Sequence, residues 1–187
     1  SIVNIAKSQH KCGSDMHYDR ILQEHPEAKL LEDQMNAEAD SKKVESRAAI
    51  YTIPVVFHVI HTNGAENISR EQILDQMRVL NEDFNLLNSN RNKLRSAFAG
   101  LAADCQIKFE LAKIDPNGIC TDGINRVYSS AGVQMDMATE PVKSLIIWPY
   151  TKYLNIWVVS SISGGTGGGE VLGYAVFPWT AKFSKDG

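Results

Sequence analysis

The chain of 187 residues contains no apolar run that approaches the roughly 20 residues needed to cross a bilayer, so we expect no membrane-spanning helix. Its formal net charge is only -3, and acidic and basic residues are interspersed. Neither a nucleic acid nor an anionic membrane surface is therefore indicated as a partner. Apolar residues, in contrast, make up 43% of the chain, which suffices for one domain of ordinary size with a short appendage.

Cysteine is scarce, and the three cysteines are not equivalent. Cys105 and Cys120 flank a predicted strand and turn, and a disulfide between them would contribute ~3 kcal/mol through loop closure. Cys12 would then be unpaired, which in a secreted protein indicates a reactive thiol or a metal ligand. Three reduced thiols in an intracellular protein are the alternative. The chain starts at Ser1 without a methionine, so we expect a piece of a longer precursor, in which a missing signal peptide says little about compartment.

The stretch from Tyr51 to Leu87 predicts a strand that leads into a helix. Residues 51–61 are rich in β-branched and aromatic side chains on both faces, which is typical of a strand inside a covered sheet. Ser69 and Gln72 form a capping box, so the helix should begin at Arg70. One apolar stripe follows at spacings of three and four: Ile73, Met77, Leu80, Phe84 and Leu87.

Shorter elements are predicted on either side of this unit. Two helices broken at Pro26 are expected within the first 40 residues, one from Asp15 or Met16 toward Gln23 and one after Pro26 through Met35, and residues 36–47 should be an exposed linker. That linker carries basic cleavage points at Lys42, Lys43 and Arg47. Four extended segments are expected, at residues 106–112, 123–128, 153–159 and 170–178, with a turn at 115–118. Pro178 and Gly173 indicate that the last of these is an edge strand, and the glycine-rich loop at 163–169 lacks the context of a phosphate loop.

Histidines do not form a recognisable metal motif. His58 and His61 are three apart on a strand, so a regular strand directs them to opposite faces, and His58 is better explained as a hydrogen-bonded core residue. His10, His17 and His25 are expected on a solvated surface. No catalytic nucleophile, base or orienting acid can be identified.

Several short motifs in a fixed order nevertheless resemble the pappalysin family of metzincin zinc endopeptidases. They are Ile53-Pro-Val-Val-Phe-His-Val-Ile-His61, Ile68-Ser69 with Gln72-Ile73, Leu80-Asn-Glu-Asp-Phe-Asn85, Ile107-Lys-Phe-Glu-Leu-Ala112 with Asp115-Pro116, Gly123-Ile-Asn-Arg126, Tyr153-Leu-Asn-Ile-Trp157 and Leu172-Gly-Tyr-Ala-Val-Phe-Pro178. The resemblance implies an α/β (α+β) fold, the metzincin-like amino-terminal subdomain. A twisted mixed β-sheet would be covered by a long amphipathic helix and preceded by a small helical propeptide. Residues 1–47 would be propeptide and linker, and residues 48–187 the subdomain.

The resemblance also implies roles for particular residues. Cys12, in Lys11-Cys12-Gly13, is similar to the propeptide cysteine whose thiolate occupies the open zinc position of a latent enzyme. A merely buried cysteine is the alternative. The linker would hold the activation cleavage, and a segment of the last strand would bind substrate peptide antiparallel: Leu172, Gly173, Tyr174, Ala175 and Val176. A purely structural edge is the alternative there. The parent protein would be a secreted enzyme that uses zinc, with calcium as a second candidate ion.

The extended zinc motif His-Glu-x-x-His-x-x-Gly-x-x-His of metzincins is absent from these 187 residues. In the family it would follow the edge strand, so we expect it beyond Gly187. We therefore expect this chain alone to be inactive and to contain no catalytic residue, even if its parent hydrolyses peptide bonds in protein substrates. The alternative function is a non-catalytic module that binds peptides or other proteins and lacks the zinc site.

Overall fold

The structure is a computed structural model that describes residues 10–11, 13–41, 50–129, 134–137, 139–164 and 170–183. We refer to residues 10–41 as the amino-terminal segment. It contains strand β1, His10–Lys11, and helices α1, Ser14–Glu24, and α2, Glu27–Ser41. Pro26 separates the helices as predicted, because proline disfavours a helical residue before it and lacks the N–H of a helix interior. Helix α2 continues to Ser41, so the first six residues of the predicted linker are helical, and its cleavage points at 42–47 lie outside the described residues.

The main sheet is organised around strand β2, Tyr51–His61, as predicted. Three strands pair with it, all parallel: β3, Ile107–Leu111, β4, Ile124–Tyr128, and β6, Leu154–Val158. β3 lies along the first half of β2, with Tyr51 opposite Ile107, and β4 lies along the second half, with Phe57 opposite Ile124. From Val55 to His61 every residue of β2 is buried, which matches its apolar character on both faces.

Helix α3, Arg70–Phe84, packs on this sheet. The predicted capping box is present: the Ser69 hydroxyl accepts a bond from Gln72 N, and the Gln72 amide oxygen accepts one from Ser69 N. Ile73 and Met77 are buried in a core cluster with side chains from β2 and β3: Val55, Phe57, Val59 and Phe109.

The apolar stripe continues past the end of the helix, so the predicted boundary at Leu87 is wrong by three residues. Phe84 is 40% exposed and Leu87 is 64% exposed. The chain leaves the helix at Asn85, and Leu86 has a left-handed φ of 54°. The side-chain amide of Asn85 donates to the carbonyl oxygen of Ile107 at 2.9 Å, so the end of the helix is bonded to β3.

A second sheet has the strand order β1-β8-β7-β5. β5 is Gln134–Asp136, β7 is Ser161–Ser163 and β8 is Glu170–Val171. β7 and β8 pair antiparallel, whereas β1 with β8 and β5 with β7 pair parallel, so the sheet is mixed. The prediction of one strand over residues 170–178 is wrong after Val171. Residues 172–178 have a strand-like alternation of side chains, but no neighbouring strand forms a continuous ladder of backbone hydrogen bonds with them in the described structure. Isolated bonds to the amino-terminal segment are found instead.

Short 3₁₀ helices connect these elements: Arg91–Lys93, Ser96–Leu101, Pro141–Ser144 and Ala181–Phe183. The predicted turn is confirmed by a bond from Gly118 N to the carbonyl oxygen of Asp115 at 3.0 Å. Cys105 and Cys120 are both free and exposed, so the structure does not contain the disulfide considered between them. Within the described ranges, no helix is both long and apolar enough to span a membrane.

Candidate functional site

The predicted substrate-binding residues Leu172–Val176, called the edge segment here, lie against the amino-terminal segment. β1 runs parallel to β8 immediately before the edge segment, with Lys11 opposite Val171. Gly13 N then donates to the carbonyl oxygen of Gly173 at 3.0 Å, and Ala175 N donates to the Ser14 hydroxyl at 2.8 Å. Backbone groups that a peptide could use for strand addition are therefore bonded within the chain.

Gly13 is the point of closest approach between the two segments. A Cβ atom at this position would lie 2.9 Å from Val171 Cγ1 and 3.0 Å from Met137 Cε, closer than normal van der Waals contact. The φ of Gly13 is -77°, which any residue can adopt. The backbone conformation would therefore admit another residue, but the side chains of Val171 and Met137 would have to shift to make room for it.

One turn further along α1, the side chain of His17 enters a buried polar cluster. His17 Nε2 lies 3.1 Å from Glu140 Oε1. The same oxygen accepts bonds from Lys143 Nζ at 2.7 Å and from the Tyr174 hydroxyl at 2.9 Å. The imidazole ring stacks on Tyr174 with centroids 4.9 Å apart and planes 23° from parallel. The exposed fractions of His17, Glu140 and Lys143 are only 2%, 3% and 3%, so the cluster is shielded from water.

The electrostatics of this cluster favour an ionised Glu140. Burial by itself would raise the pKa of the Glu140 carboxyl, but the hydrogen bond from His17 and the charge and hydrogen bond of Lys143 outweigh it and lower the pKa to about 2. An ionised carboxylate can only accept, so His17 Nε2 carries the proton that it donates. The Lys143 ammonium also lies over the rings of Trp157 and Tyr174, 5.2 Å from each centroid.

Further contacts between the amino-terminal segment and the rest of the chain extend along α1 to its C-cap, His25. Arg20 donates to the carbonyl oxygen of Met137. The Tyr18 ring meets Phe177 edge to face with centroids 5.3 Å apart, and the His25 ring stacks on Phe183 at 4.9 Å. The amino-terminal segment is thus bound through backbone, charged and aromatic groups together.

His58 occupies a different environment, inside the main sheet. It is fully buried, and its Nε2 lies 2.8 Å from the side-chain oxygen of Asn155. The same oxygen accepts a bond from Trp148 N. Burial lowers the pKa of His58, and the bond to Asn155 opposes that shift. His61 accepts a bond from Asn63 N through Nδ1, so these bonds join the two histidines to different partners. The prediction of His58 as a core histidine is confirmed.

The remaining site predictions have mixed outcomes. Cys12 lies outside the described residues, so its assignment as a metal ligand stays a prediction. The expectation that His17 is solvated is wrong, since Glu140 and Tyr174 enclose it. Glu140 and Lys143 were missed because they lie in a stretch without hydrophobic periodicity. Across the described part of the chain, no group of three histidine, cysteine, aspartate or glutamate residues is arranged to hold a metal ion.

Comparison with solved structures places this geometry in a known class of fold. The mixed arrangement of helices and a parallel-stranded sheet matches solved structures of a metzincin-type zinc metalloprotease and of its zymogen. The protein in those structures is mirolysin. The chain is 36% identical to a promirolysin mutant from Tannerella forsythia, over 94% of this chain and 57% of that chain, with a TM-score of 0.69.

Mature mirolysin gives a similar result over less of the chain. The chain is 39% identical to Tannerella forsythia mature mirolysin in complex with a cleaved peptide, over 75% of this chain and 51% of that chain, with a TM-score of 0.64. It is 40% identical to mirolysin in complex with a compound, over 73% and 50%, with a TM-score of 0.63. This chain therefore spans about half the length of these solved structures. No protein-family model and no curated protein matches it.

Proposed function

We propose that this chain is the amino-terminal part of a secreted, pappalysin-type metzincin zinc endopeptidase, and that the amino-terminal segment is its latency propeptide. One observation carries the proposal: the amino-terminal segment binds the backbone of the edge segment, where substrate is expected, at Gly173 and Ala175. A peptide substrate would need the same two backbone groups, so the two cannot be bound together.

The extent of the structural matches supports a propeptide. The zymogen structure matches 94% of this chain, whereas the mature structures match 73% and 75%. The difference is about a fifth of the chain, which is similar to the share that ends at Ser41 in the described helix α2. A segment of that size is what activation would remove.

Chain direction supports latency rather than substrate-like binding. β1 runs parallel to β8, whereas substrate is expected to run antiparallel to the edge segment. A segment bound in the reverse direction presents each peptide carbonyl and N–H with the opposite polarity. The propeptide would therefore occupy the substrate site without offering a cleavable bond in the productive orientation.

Zinc is proposed as the cofactor, with its main ligands outside the described residues. The described residues contain no three-ligand group, so they do not fit a zinc centre, and no catalytic step is assigned to them. Cys12 is proposed to bind the zinc of the latent enzyme as a thiolate. The neighbouring residue Gly13 supports this, because its N–H donates to the carbonyl oxygen of Gly173 in the segment where substrate is expected.

The coding sequence that follows Gly187 provides the first test. We expect the extended zinc motif within several tens of residues, and we expect the full-length precursor, once cut within residues 42–47, to hydrolyse peptides in a chelator-sensitive manner. An unrelated continuation, or a cut precursor that binds peptide without hydrolysing it, would contradict the protease and leave the non-catalytic peptide-binding module as the function.

The cysteine switch needs its own test in the same precursor. We expect Cys12→Ala to raise the activity of the uncut precursor, because the open zinc position would then be accessible to water. Cys105→Ala and Cys120→Ala, which each remove an exposed thiol, serve as matched controls and should leave latency unchanged. Equal latency of Cys12→Ala and the unchanged precursor would rule out the switch.

A further inference from the structure

The cluster that receives His17 is built by residues outside the amino-terminal segment. We call Glu140, Lys143 and Tyr174 the socket. Within it, Lys143 and Tyr174 each bond Glu140 Oε1 at 2.7 and 2.9 Å, and neither bond involves His17. His17 adds a third donor to an arrangement that is already bonded.

The backbone holds the carboxylate of the socket in place. Glu140 adopts a left-handed conformation, with φ 47° and ψ 49°, which is uncommon for a residue other than glycine, asparagine or aspartate. Its N–H donates to the carbonyl oxygen of Asp136 at 2.7 Å, and Pro141 then begins a short 3₁₀ helix that carries Lys143. Both charged residues of the socket therefore lie on one turn of chain, which fixes their separation.

We propose that the socket is a preformed binding site for one flat, N–H-donating side chain, and that His17 is the residue by which the amino-terminal segment fills it. The inference rests on the proposed propeptide role and names the residue that sets how long the propeptide stays bound. The occupant is a segment of this same chain.

The chemistry of the socket specifies that occupant. Tyr174 presents a ring face, which favours a planar group stacked on it. Glu140 presents an oxygen that can accept but not donate, so the occupant must carry a hydrogen-bond donor at about 3 Å, which His17 supplies as the N–H of Nε2. Lys143 already balances the charge of Glu140, so a further positive charge is not required. An imidazole that donates through Nε2 meets all three conditions.

The approach of the amino-terminal segment delivers this side chain to the socket. Gly13 and Ser14 bond the edge segment on either side of Tyr174, and α1 begins at Ser14. His17 N donates to the carbonyl oxygen of Gly13 at 3.0 Å, so His17 lies one turn from the anchored backbone. The backbone bonds and the socket therefore bind one short stretch of the amino-terminal segment, residues 13–17, of which residues 13, 14 and 17 make the bonds.

Dissociation of the cut amino-terminal segment tests the proposal. In the full chain, residues 42–47 are replaced by the recognition sequence of a site-specific protease, the linker is cut, and release of the amino-terminal fragment is followed by size-exclusion chromatography. We expect His17→Ala to speed release by about tenfold or more, as loss of a buried hydrogen bond to a charged group predicts. Gln23→Ala, on the exposed side of the same helix, is the control and should release at the unchanged rate.

Two further variants separate the ring from the donor. His17→Phe keeps a ring without an N–H, and His17→Gln keeps an N–H donor without the ring. We expect both variants to release the amino-terminal fragment faster than the unchanged chain does. His17→Phe should release it faster than His17→Gln, because the phenylalanine ring carries no N–H and leaves the carboxylate of Glu140 without its third donor. The opposite order would contradict the role of the donor.

A third measurement, binding of free imidazole in place of the missing side chain, keeps the test valid if His17→Ala destabilises the fold. Imidazole added to the His17→Ala chain at about pH 8.5, where free imidazole is neutral, should slow release and raise the unfolding temperature. 1-Methylimidazole, which has no N–H when neutral, should do neither. Equal effects of the two compounds, or release of His17→Ala at the unchanged rate, would overturn the proposal.

These outcomes are independent of hydrolysis. Fast release of the His17→Ala fragment and selective rescue would stand even if the precursor proved to be a peptide-binding module. Unchanged release would refute the socket while leaving zinc-dependent hydrolysis to be judged by its own assay.

Discussion

The interior of the main sheet and the contact between the amino-terminal and edge segments are stabilised in different ways. The face of the sheet that packs against α3 is apolar and local: Val55, Phe57 and Val59 of β2 meet Ile73 of α3, fewer than 20 residues further along the chain. The contact depends on buried charge and on close approach, and it joins His17 to Glu140 across 123 residues. Burial of these apolar side chains needs only complementary shape, whereas burial at the contact needs every polar group to be paired.

This difference implies that the two regions can separate. A domain core must unfold as a unit, but a segment held by a few directional bonds can leave once its covalent connection is cut. We therefore expect substitutions in the sheet to change unfolding of the whole chain, and substitutions at the contact to change release of the cut amino-terminal segment more than they change unfolding of the sheet.

The largest effect is expected from Ile73→Ala in the sheet interior. Ile73 is fully buried, so truncation should lower the free energy of unfolding by about 3 kcal/mol, through lost transfer free energy and a residual cavity. Leu74→Ala, at the next position and 44% exposed, is the matched control and should cost much less. Denaturant unfolding followed by tryptophan fluorescence measures both, and equal costs would contradict the assigned packing of α3.

Glu140→Gln should have the next largest effect and should act at the contact. It removes the carboxylate from the buried ammonium of Lys143, and breaking a buried ion pair costs on the order of 3 kcal/mol. Release of the cut amino-terminal segment should accelerate strongly, as measured by size-exclusion chromatography. Asp83→Asn, an exposed acidic residue of α3, should leave release unchanged. A loss of sheet stability as large as that of Ile73→Ala, without faster release, would contradict the separation.

Acid should act through the same carboxylate. The pKa of Glu140 is lowered from 4.5 to about 2, so the folded state binds this proton more weakly than the unfolded state. The stabilisation is complete above about pH 4.5 and is lost as the pH falls toward about 2. Unfolding measured across this range should be steeper for the unchanged chain than for Glu140→Gln, and parallel curves would show that Glu140 does not contribute.

Gly13→Ala should have an intermediate effect confined to the contact. The added methyl group would meet Val171 and Met137 at 2.9 to 3.1 Å, and overpacking of this kind costs roughly 1–3 kcal/mol. Release of the cut amino-terminal segment should accelerate accordingly. Gly100→Ala, where nothing lies within 4 Å of the added atom, is the matched control. If both variants release alike, the close approach at Gly13 does not govern docking.

The smallest effect is expected from titration of His58, which tests the burial of this histidine inside the main sheet. Its pKa is lowered from 6.5 mainly by burial, so below about pH 6.5 the unfolded state gains protons that the folded state does not. Sheet stability should therefore fall as the pH drops below about 6.5. His58→Gln should flatten this slope. An unchanged slope in His58→Gln would assign the pH dependence to another group.

Sequence patterns predicted the sheet interior well and the contact poorly, for a physical reason. Residues 51–61 and the capping box at Ser69 and Gln72 report their own local structure, and both are confirmed. His17 lies on α1, whereas Glu140 and Lys143 lie on one turn 123 residues or more further along the chain, and no periodicity links the two. Residues 172–176 carry strand-like alternation, yet a strand also needs a partner, and the bonding there consists of isolated contacts with Gly13 and Ser14.

The measurement that tests the central claim most directly is the rate of peptide hydrolysis by the full-length precursor before and after a single cut within residues 42–47. If the amino-terminal segment blocks the edge segment, the uncut precursor should be nearly inactive, and activity should appear only as the cut segment is released. An uncut precursor as active as the cut one would contradict the account, because the bonds to Gly173 and Ala175 would then not hinder substrate.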